Sequence, residues 1–533
     1  MSGFCAMNPK QVFVREATGL VREISTTDSF VWNITYVPLL LSFVNLMFWT
    51  MSSGVLNVDY VVTTLVWMIM SGIVMLIYYV MAVAMPRSGG DYVWGTRAVH
   101  PAIGFLMSWS FVWVNILVEA TGSYAGVTYL SSGLSIVGKM TDDVGLQSLA
   151  GTLTEPTSQL VVGMGILVFA ALAGCFGKRI LKGVIYFILL VGLVGLVVAF
   201  GLMLSTTRGA YVTSFNAISG LSYDQVLSQA QAAGYLPIVT VAASLSAIPF
   251  AIFALPPPNV TAFLGGEVKT PRRSFLYGML GAWAIAALIW LGAFTLLDST
   301  IGMRFIEAMT FLSQNNPDVY AQTGMPAATA NLFISVITRN PMIIHLVTLS
   351  IFIGNMGWMV ILFAVNARIF LAWAFDRLAP SQLSQVSERF LTPIYSVLLM
   401  AVLCIGGFII LFYNPAAFTF NVALLISFWL CLAGLTALIL PYRRKDIFES
   451  SPLKGRLAGI PLLSILGFLT VVLYLYMMYV ALVNPSLGPI SPAALSATVG
   501  LVVAGLVIFY LVRAVRKSQG IDIDAVFREI PPE

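Results

Sequence analysis

The sequence predicts an all-α integral membrane protein of twelve transmembrane helices, and three observations carry that prediction. First, 59% of residues are hydrophobic and only 9% are charged, a charge fraction roughly a third of that in an ordinary soluble domain. Second, apolar runs of about 20 residues, long enough to cross ~30 Å of hydrocarbon, recur through nearly the whole chain. Third, the basic residues fall almost entirely on one side of the loops that join those runs.

The twelve runs lie at 30–51, 60–85, 102–130, 158–176, 183–205, 238–263, 275–297, 342–368, 391–413, 416–441, 458–483 and 490–512, and are numbered below as spans 1 to 12. An even number puts both termini on one side. Alternating loops divide the 27 Lys and Arg residues 23 to 4, with only Lys139, Arg208, Arg304 and Arg339 on the poorer side. By the positive-inside rule the rich side, with both termini, is expected in the cytoplasm. The net charge of +5 then reflects topology, and the expected large partner is the lipid bilayer, not nucleic acid. Residues 1–29 are polar and carry no hydrophobic run before a small-residue cleavage site, so they read as a cytoplasmic tail.

Composition also excludes several chemistries. Cys5 lies in the tail, while Cys175, Cys404 and Cys431 sit in or beside spans, as small apolar packing residues rather than a disulfide framework. The two histidines, His100 and His345, fall at opposite ends of the bundle. No His-based metal or acid-base cluster, phosphate-binding glycine loop or nucleophile elbow is present, so neither a cofactor nor an enzyme is expected. Longer loops at 131–157, 206–237 and 298–341 exceed the usual connection length. Within them, 223–233 reads as a short surface helix, and 305–312 as another.

Span 6 holds the most informative segment. Residues 250–273, FAIFALPPPNVTAFLGGEVKTPRR, begin as an apolar helix and meet Pro256, Pro257 and Pro258 in succession. Each proline removes a backbone N–H, and a free backbone group in hydrocarbon is costly unless protein or a water-filled cavity satisfies it. A helix broken at that depth therefore marks a binding site or a rigid hinge.

Two loops on the basic side carry motifs. Residues 85–101 read MPRSGGDYVWGTRAVHP, with Gly89 and Gly90 permitting a tight turn after Pro86, and residues 267–273 read EVKTPRR. A Pro-x-Ser-Gly-Gly-x-Tyr segment after span 2 and a Glu-x-x-x-Pro-Arg segment after span 6 together resemble the amino acid-polyamine-organocation superfamily, in its amino acid permease branch. That resemblance implies the inverted-repeat fold of bacterial leucine transporters, in which spans 1–5 and 6–10 are related by a pseudo-two-fold axis. Spans 1 and 6 would be broken at the substrate site, and spans 11 and 12 peripheral. The chain would then divide into a tail at 1–29, repeats at 30–205 and 206–441, the last two spans at 442–513 and a tail at 514–533.

The resemblance places the break of span 1 near Tyr36-Val37-Pro38-Leu39-Leu40-Leu41-Ser42. Pro38 would release the carbonyls of Ile34 and Thr35, although the glycines usual in the family are missing. Val37, Pro38, Leu39, Leu40, Leu41 and Ser42 are the candidates there, with a proline-kinked packing helix as the alternative. In span 6 the prolines strip partners from the carbonyls of Ile252, Phe253 and Ala254. A break rich in acceptors suits an ammonium group, so Phe253, Ala254 and Leu255 would face the amino end of a substrate, with Asn259 as a polar partner and Pro256 and Pro257 as further residues of the site.

Glu119 is the one acidic residue in the middle of a span, where a carboxylate is expected to face the bundle interior. Asn115, Glu119 and Gly122 share a helical face at i, i+4 and i+7. Glu119 can serve as proton carrier, as substrate partner or as a structural acid. In span 8, Ser350 and Asn355 are candidate ligands for a coupling ion, although an isolated membrane serine often bonds its own backbone. Proton-coupled relatives place a lysine within span 5, but residues 189–197 contain none, which leaves sodium coupling, Glu119 protonation or exchange. Arg87, Asp91, Glu267, Arg368, Asp376 and Arg377 at the basic mouth read as solvated surface charge, with gate ion pairs as the alternative.

The expected function is a secondary transporter moving amino acids or related amines by alternating access, with a proton or sodium as possible coupling ion. A transport-inactive receptor of the same fold is the alternative.

Overall fold

The computed structural model describes residues 20–326, 328–415 and 420–528. Cys5, most of 1–29, the start of span 10 at 416–419 and the last five residues lie outside them. Among the described residues, eleven helices are long and apolar enough to cross a membrane. They correspond to every expected run except 238–263. There the chain forms two short helices, Val241–Ser246 and Ile248–Ala254, then non-helical backbone to Asn259, and then single 3-10 turns at Val260–Phe263 and Gly265–Glu267. The helix ends at Ala254 because the next positions able to donate to its carbonyls are prolines.

Span 1 is also interrupted. It consists of the helices Thr26–Tyr36 and Leu39–Ser52, and the second begins after Pro38 without any side chain capping its free N–H groups. Elsewhere the sequence starts its helices by ordinary means. Pro101, Pro156, Pro341 and Pro492 open spans 3, 4, 8 and 12 at the first helical turn, where a missing N–H costs nothing. Asp59 caps span 2 by accepting from the N–H groups of Val61 and Val62.

Span 3, Pro101–Met140, and span 8, Pro341–Phe375, overrun their apolar cores and form the axis of the bundle. Burial declines outward from that axis: 72% of the most apolar window of span 3 is buried, against 28% for span 11 and 17% for span 12. The mid-span side chains of Ile69, Leu190, Val197 and Val402 are exposed, as lipid-facing residues are. The longer loops form the expected short helices at Tyr223–Ala232 and Met303–Asn315. Glu307 pins the second of these, accepting hydrogen bonds from Val58 N (3.3 Å) and Tyr235 Oη (2.8 Å).

Candidate functional site

A cavity of about 450 Å³ lies at the centre of the bundle, walled by spans 1, 3, 6, 8 and 10. Both interruptions reach it. Pro38 and Ser42 line it from span 1, and Phe253, Ala254, Pro256, Pro257 and Asn259 from span 6. Ser42 Oγ and Asn259 Nδ2 are buried and have no hydrogen-bond partner. Buried polar atoms are almost always paired, and among the described residues these are the two such orphans on residues that line the cavity. Trp67 takes up the Leu255 carbonyl at 2.9 Å. The carbonyls of Ile252, Phe253 and Ala254 face prolines in place of donors four residues on.

Span 3 contributes Asn115, which donates to Asn366 at 3.1 Å, and Gly122. Span 8 contributes Asn355 and Trp358. Asn355 Nδ2 donates to the Gly122 carbonyl (2.9 Å), and Trp358 Nε1 donates to Asn355 Oδ1 (3.3 Å). Asn45 and Tyr129, hydrogen-bonded at 2.8 Å, close the wall between spans 1 and 3.

Several expected site residues lie elsewhere. Glu119 does not line the cavity. It sits about 40° round the helix from Asn115, is fully buried, and has both carboxylate oxygens unpartnered. It lies within electrostatic reach of Cys404 in span 9 and of Tyr36, which does line the cavity. Val37, Leu39, Leu40, Leu41 and Ser350 line a separate crevice of about 20 Å³ between spans 1, 5 and 8. The Ser350 hydroxyl is occupied there by the carbonyls of Val191 (2.9 Å) and Leu346 (2.8 Å). Leu255 is buried off the cavity wall.

The aromatic wall escaped the sequence reading. Tyr36, Phe111 and Trp429 line the cavity, with the Phe111 ring 4.2 Å from Trp429 and stacked on Phe263 at 4.8 Å. Trp429 carried a legible signal, because tryptophan favours membrane interfaces and one in the middle of a span needs another reason.

The two ends of the bundle differ. At the basic end, Glu267 is bound by Arg368 (2.8 Å) and Lys178 (2.8 Å), and Arg97 clamps Asp376 with two bonds of 2.6 and 2.8 Å. These are buried pairs, not the solvated surface charge expected of Glu267, Arg368 and Asp376. Their partners come from different elements and exclude water together. Burial works to raise the Glu267 carboxyl, but the Arg368 and Lys178 charges outweigh it and hold it below the usual carboxylate range. Asp91 is buried as well, beneath Trp429 and Tyr78.

The same end ties spans 1 and 6 to each other. Asn33 Nδ2 donates to Thr261 Oγ1 at 2.7 Å, Ser29 Oγ lies 3.0 Å from the same hydroxyl, and Ile24 pairs with Val268 as a parallel bridge. Gly89 and Gly90, at φ 95° and 52°, let the loop after span 2 press against span 6, where Gly89 N donates to the Phe263 carbonyl at 2.9 Å. At the opposite end a second space of about 300 Å³ shares Trp49 and Phe253 with the central cavity. The structure is thus closed at the basic end, and toward the other end the two spaces share Trp49 and Phe253 in their walls.

This architecture defines a multi-pass helical membrane protein with a ligand-sized central cavity. The amino acid permease family model matches residues 33–507, and the chain belongs to that family, within the amino acid-polyamine-organocation superfamily. The family is one of transporters, and its substrates are amino acids. A search of curated proteins found no match.

Proposed function

We propose that the protein is a secondary transporter that binds one amino acid between the interruptions of spans 1 and 6 and moves it by alternating access. The observation that carries this reading is the pair of unpartnered groups, Ser42 Oγ and Asn259 Nδ2, on residues that line one cavity from the two interruptions. Both can donate to a carboxylate, beside the uncapped N-terminus of Leu39–Ser52, whose dipole favours an anion. The carbonyls of Ile252, Phe253 and Ala254 supply acceptors for the ammonium group. A zwitterion is matched at both poles, and a bare amine at only one.

The basic end is taken as cytoplasmic, with spans 1–5 and 6–10 as the two inverted repeats. Alternating access then requires the buried pairs at Glu267 and Asp376 to part while Trp49 and Phe253 close the outer side. The joined inner halves of spans 1 and 6 move as one body, because separating Asn33 from Thr261 would strand buried polar atoms. For coupling we assign a proton on Glu119: its unpartnered oxygens have room to gain and lose one, whereas the Ser350 hydroxyl is already committed to backbone carbonyls.

The paired substitution Pro257→Ala/Pro258→Ala tests the site. It returns N–H donors to the carbonyls of Phe253 and Ala254. A KM for uptake raised about tenfold, the equivalent of one lost charge-assisted hydrogen bond, supports the ligand role. A lowered turnover at unchanged KM would show that the prolines act only as a hinge.

A further inference from the structure

We propose that the amino acid this cavity accepts has a large, uncharged side chain, apolar or aromatic. The proposal rests on the reading of the cavity as an amino acid site and narrows it.

Charge is the first argument. Among the described residues that line the cavity there is no Asp, Glu, Lys, Arg or His. The buried charges at the basic end are already paired with each other, and Asp91 is turned to Trp429 and Tyr78. A cationic or anionic side chain would leave water for a wall with no counter-charge, and neutral hydrogen-bonding groups do not offset that loss. The same wall tolerates the zwitterion, because its two poles meet backbone acceptors and donors at the helix interruptions.

Shape is the second. Phe111, stacked on Phe263 and 4.2 Å from Trp429, forms with Trp429 an aromatic stretch of the cavity wall. Such surfaces favour a stacked or edge-on ring, and they favour branched aliphatic groups next. With about 450 Å³ to fill, a side chain of one carbon leaves most of this surface without contact, and most of the available apolar burial is forgone.

Gly122 sets the limit of that space. An added Cβ there would lie 2.4 Å from the Trp358 ring, so the indole rests directly on the bare backbone of span 3. Asn355 holds it there, bonded to the Gly122 carbonyl and to Trp358 Nε1. A methyl group at position 122 must push the ring away from span 3, and the ring it displaces is itself part of the cavity wall. Gly122 is therefore a residue that sets specificity by size, through the ring that rests on it.

The experiment uses the full chain in proteoliposomes, with counterflow of radiolabelled phenylalanine, alanine, lysine and glutamate measured separately, and binding of each checked by thermal shift of the detergent-purified protein. Phenylalanine, leucine and tryptophan should compete with constants about tenfold or more below those of alanine and glycine, and lysine and glutamate should compete least. Gly122→Ala should remove tryptophan first and narrow the gap between leucine and alanine. Alanine, lysine or glutamate moving as well as phenylalanine would overturn the proposal while leaving the amino acid site intact. No flux and no thermal shift with any of the four would overturn the site reading, and the proposal with it.

Discussion

Trp429 donates its indole N–H to Asp91 Oδ2 across 2.5 Å, so a residue of the loop after span 2 orients a ring in the cavity wall. Tyr78 donates to the same oxygen at 3.0 Å, and Asp91 Oδ1 has no partner. The PRSGGDYVW motif thus reaches the site through one carboxylate.

That carboxylate gives the fold a pH dependence. Burial pushes Asp91 up to about 7, against the opposing pull of the bonds from Trp429 and Tyr78. An acid raised on folding binds its proton more tightly in the folded state. Its contribution is whole below the unfolded value of about 4 and is lost as pH climbs to about 7, at ~1.4 kcal/mol per unit. The thermal midpoint of the purified protein should fall over that window, and Asp91→Asn should flatten the fall. Equal slopes for both proteins would contradict this.

Glu267 behaves in the opposite sense, because its carboxyl is lowered: its contribution is present above the ordinary carboxylate value and fails only as pH drops through the lower folded one. Glu267→Gln at neutral pH leaves Arg368 buried with a weakened partner, a loss of about 3–5 kcal/mol from the closed state if the pair is fully broken. Ala372, one turn beyond Arg368 on span 8 and buried against Gly89, reports the result. An Ala372→Cys protein should label slowly with a membrane-impermeant thiol reagent applied from the basic end, and faster once Glu267→Gln is added. Unchanged labelling would show that the pair does not hold that end shut.

Glu119 separates coupling from binding. Glu119→Gln keeps the size of the side chain and removes the exchangeable proton. Uptake driven by a pH gradient should be abolished, while counterflow without a gradient persists at a KM within about threefold of the wild type, since the residue is off the cavity wall. Retained pH-driven uptake would make Glu119 a packing residue.

Hydropathy made the spans legible because a bilayer demands long apolar helices, and prolines made both interruptions legible because they delete donors. What the sequence hid was rotation and burial. Glu119 and Asn115 share a helical face within tolerance, yet a turn of about 40° sends one to span 9 and the other to the cavity. Phe111 and Phe105 look alike in the sequence of span 3, and only packing sends Phe111 to the cavity and Phe105 against Trp373. The charges at the basic mouth sit at helix ends where solvent is the usual surrounding. Their burial depends on Glu267 and Arg368 meeting across 101 residues of chain, which no local pattern records.

The central claim, that the cavity between Ser42 and Asn259 carries an amino acid across the membrane, is tested most directly by counterflow. Proteoliposomes loaded with unlabelled phenylalanine should transiently concentrate the external radiolabelled form, and Asn259→Leu should abolish that overshoot without lowering the thermal midpoint of the unliganded protein. Binding of phenylalanine with no overshoot would contradict the account and identify a receptor of this fold. An overshoot unaffected by Asn259→Leu would place the site elsewhere.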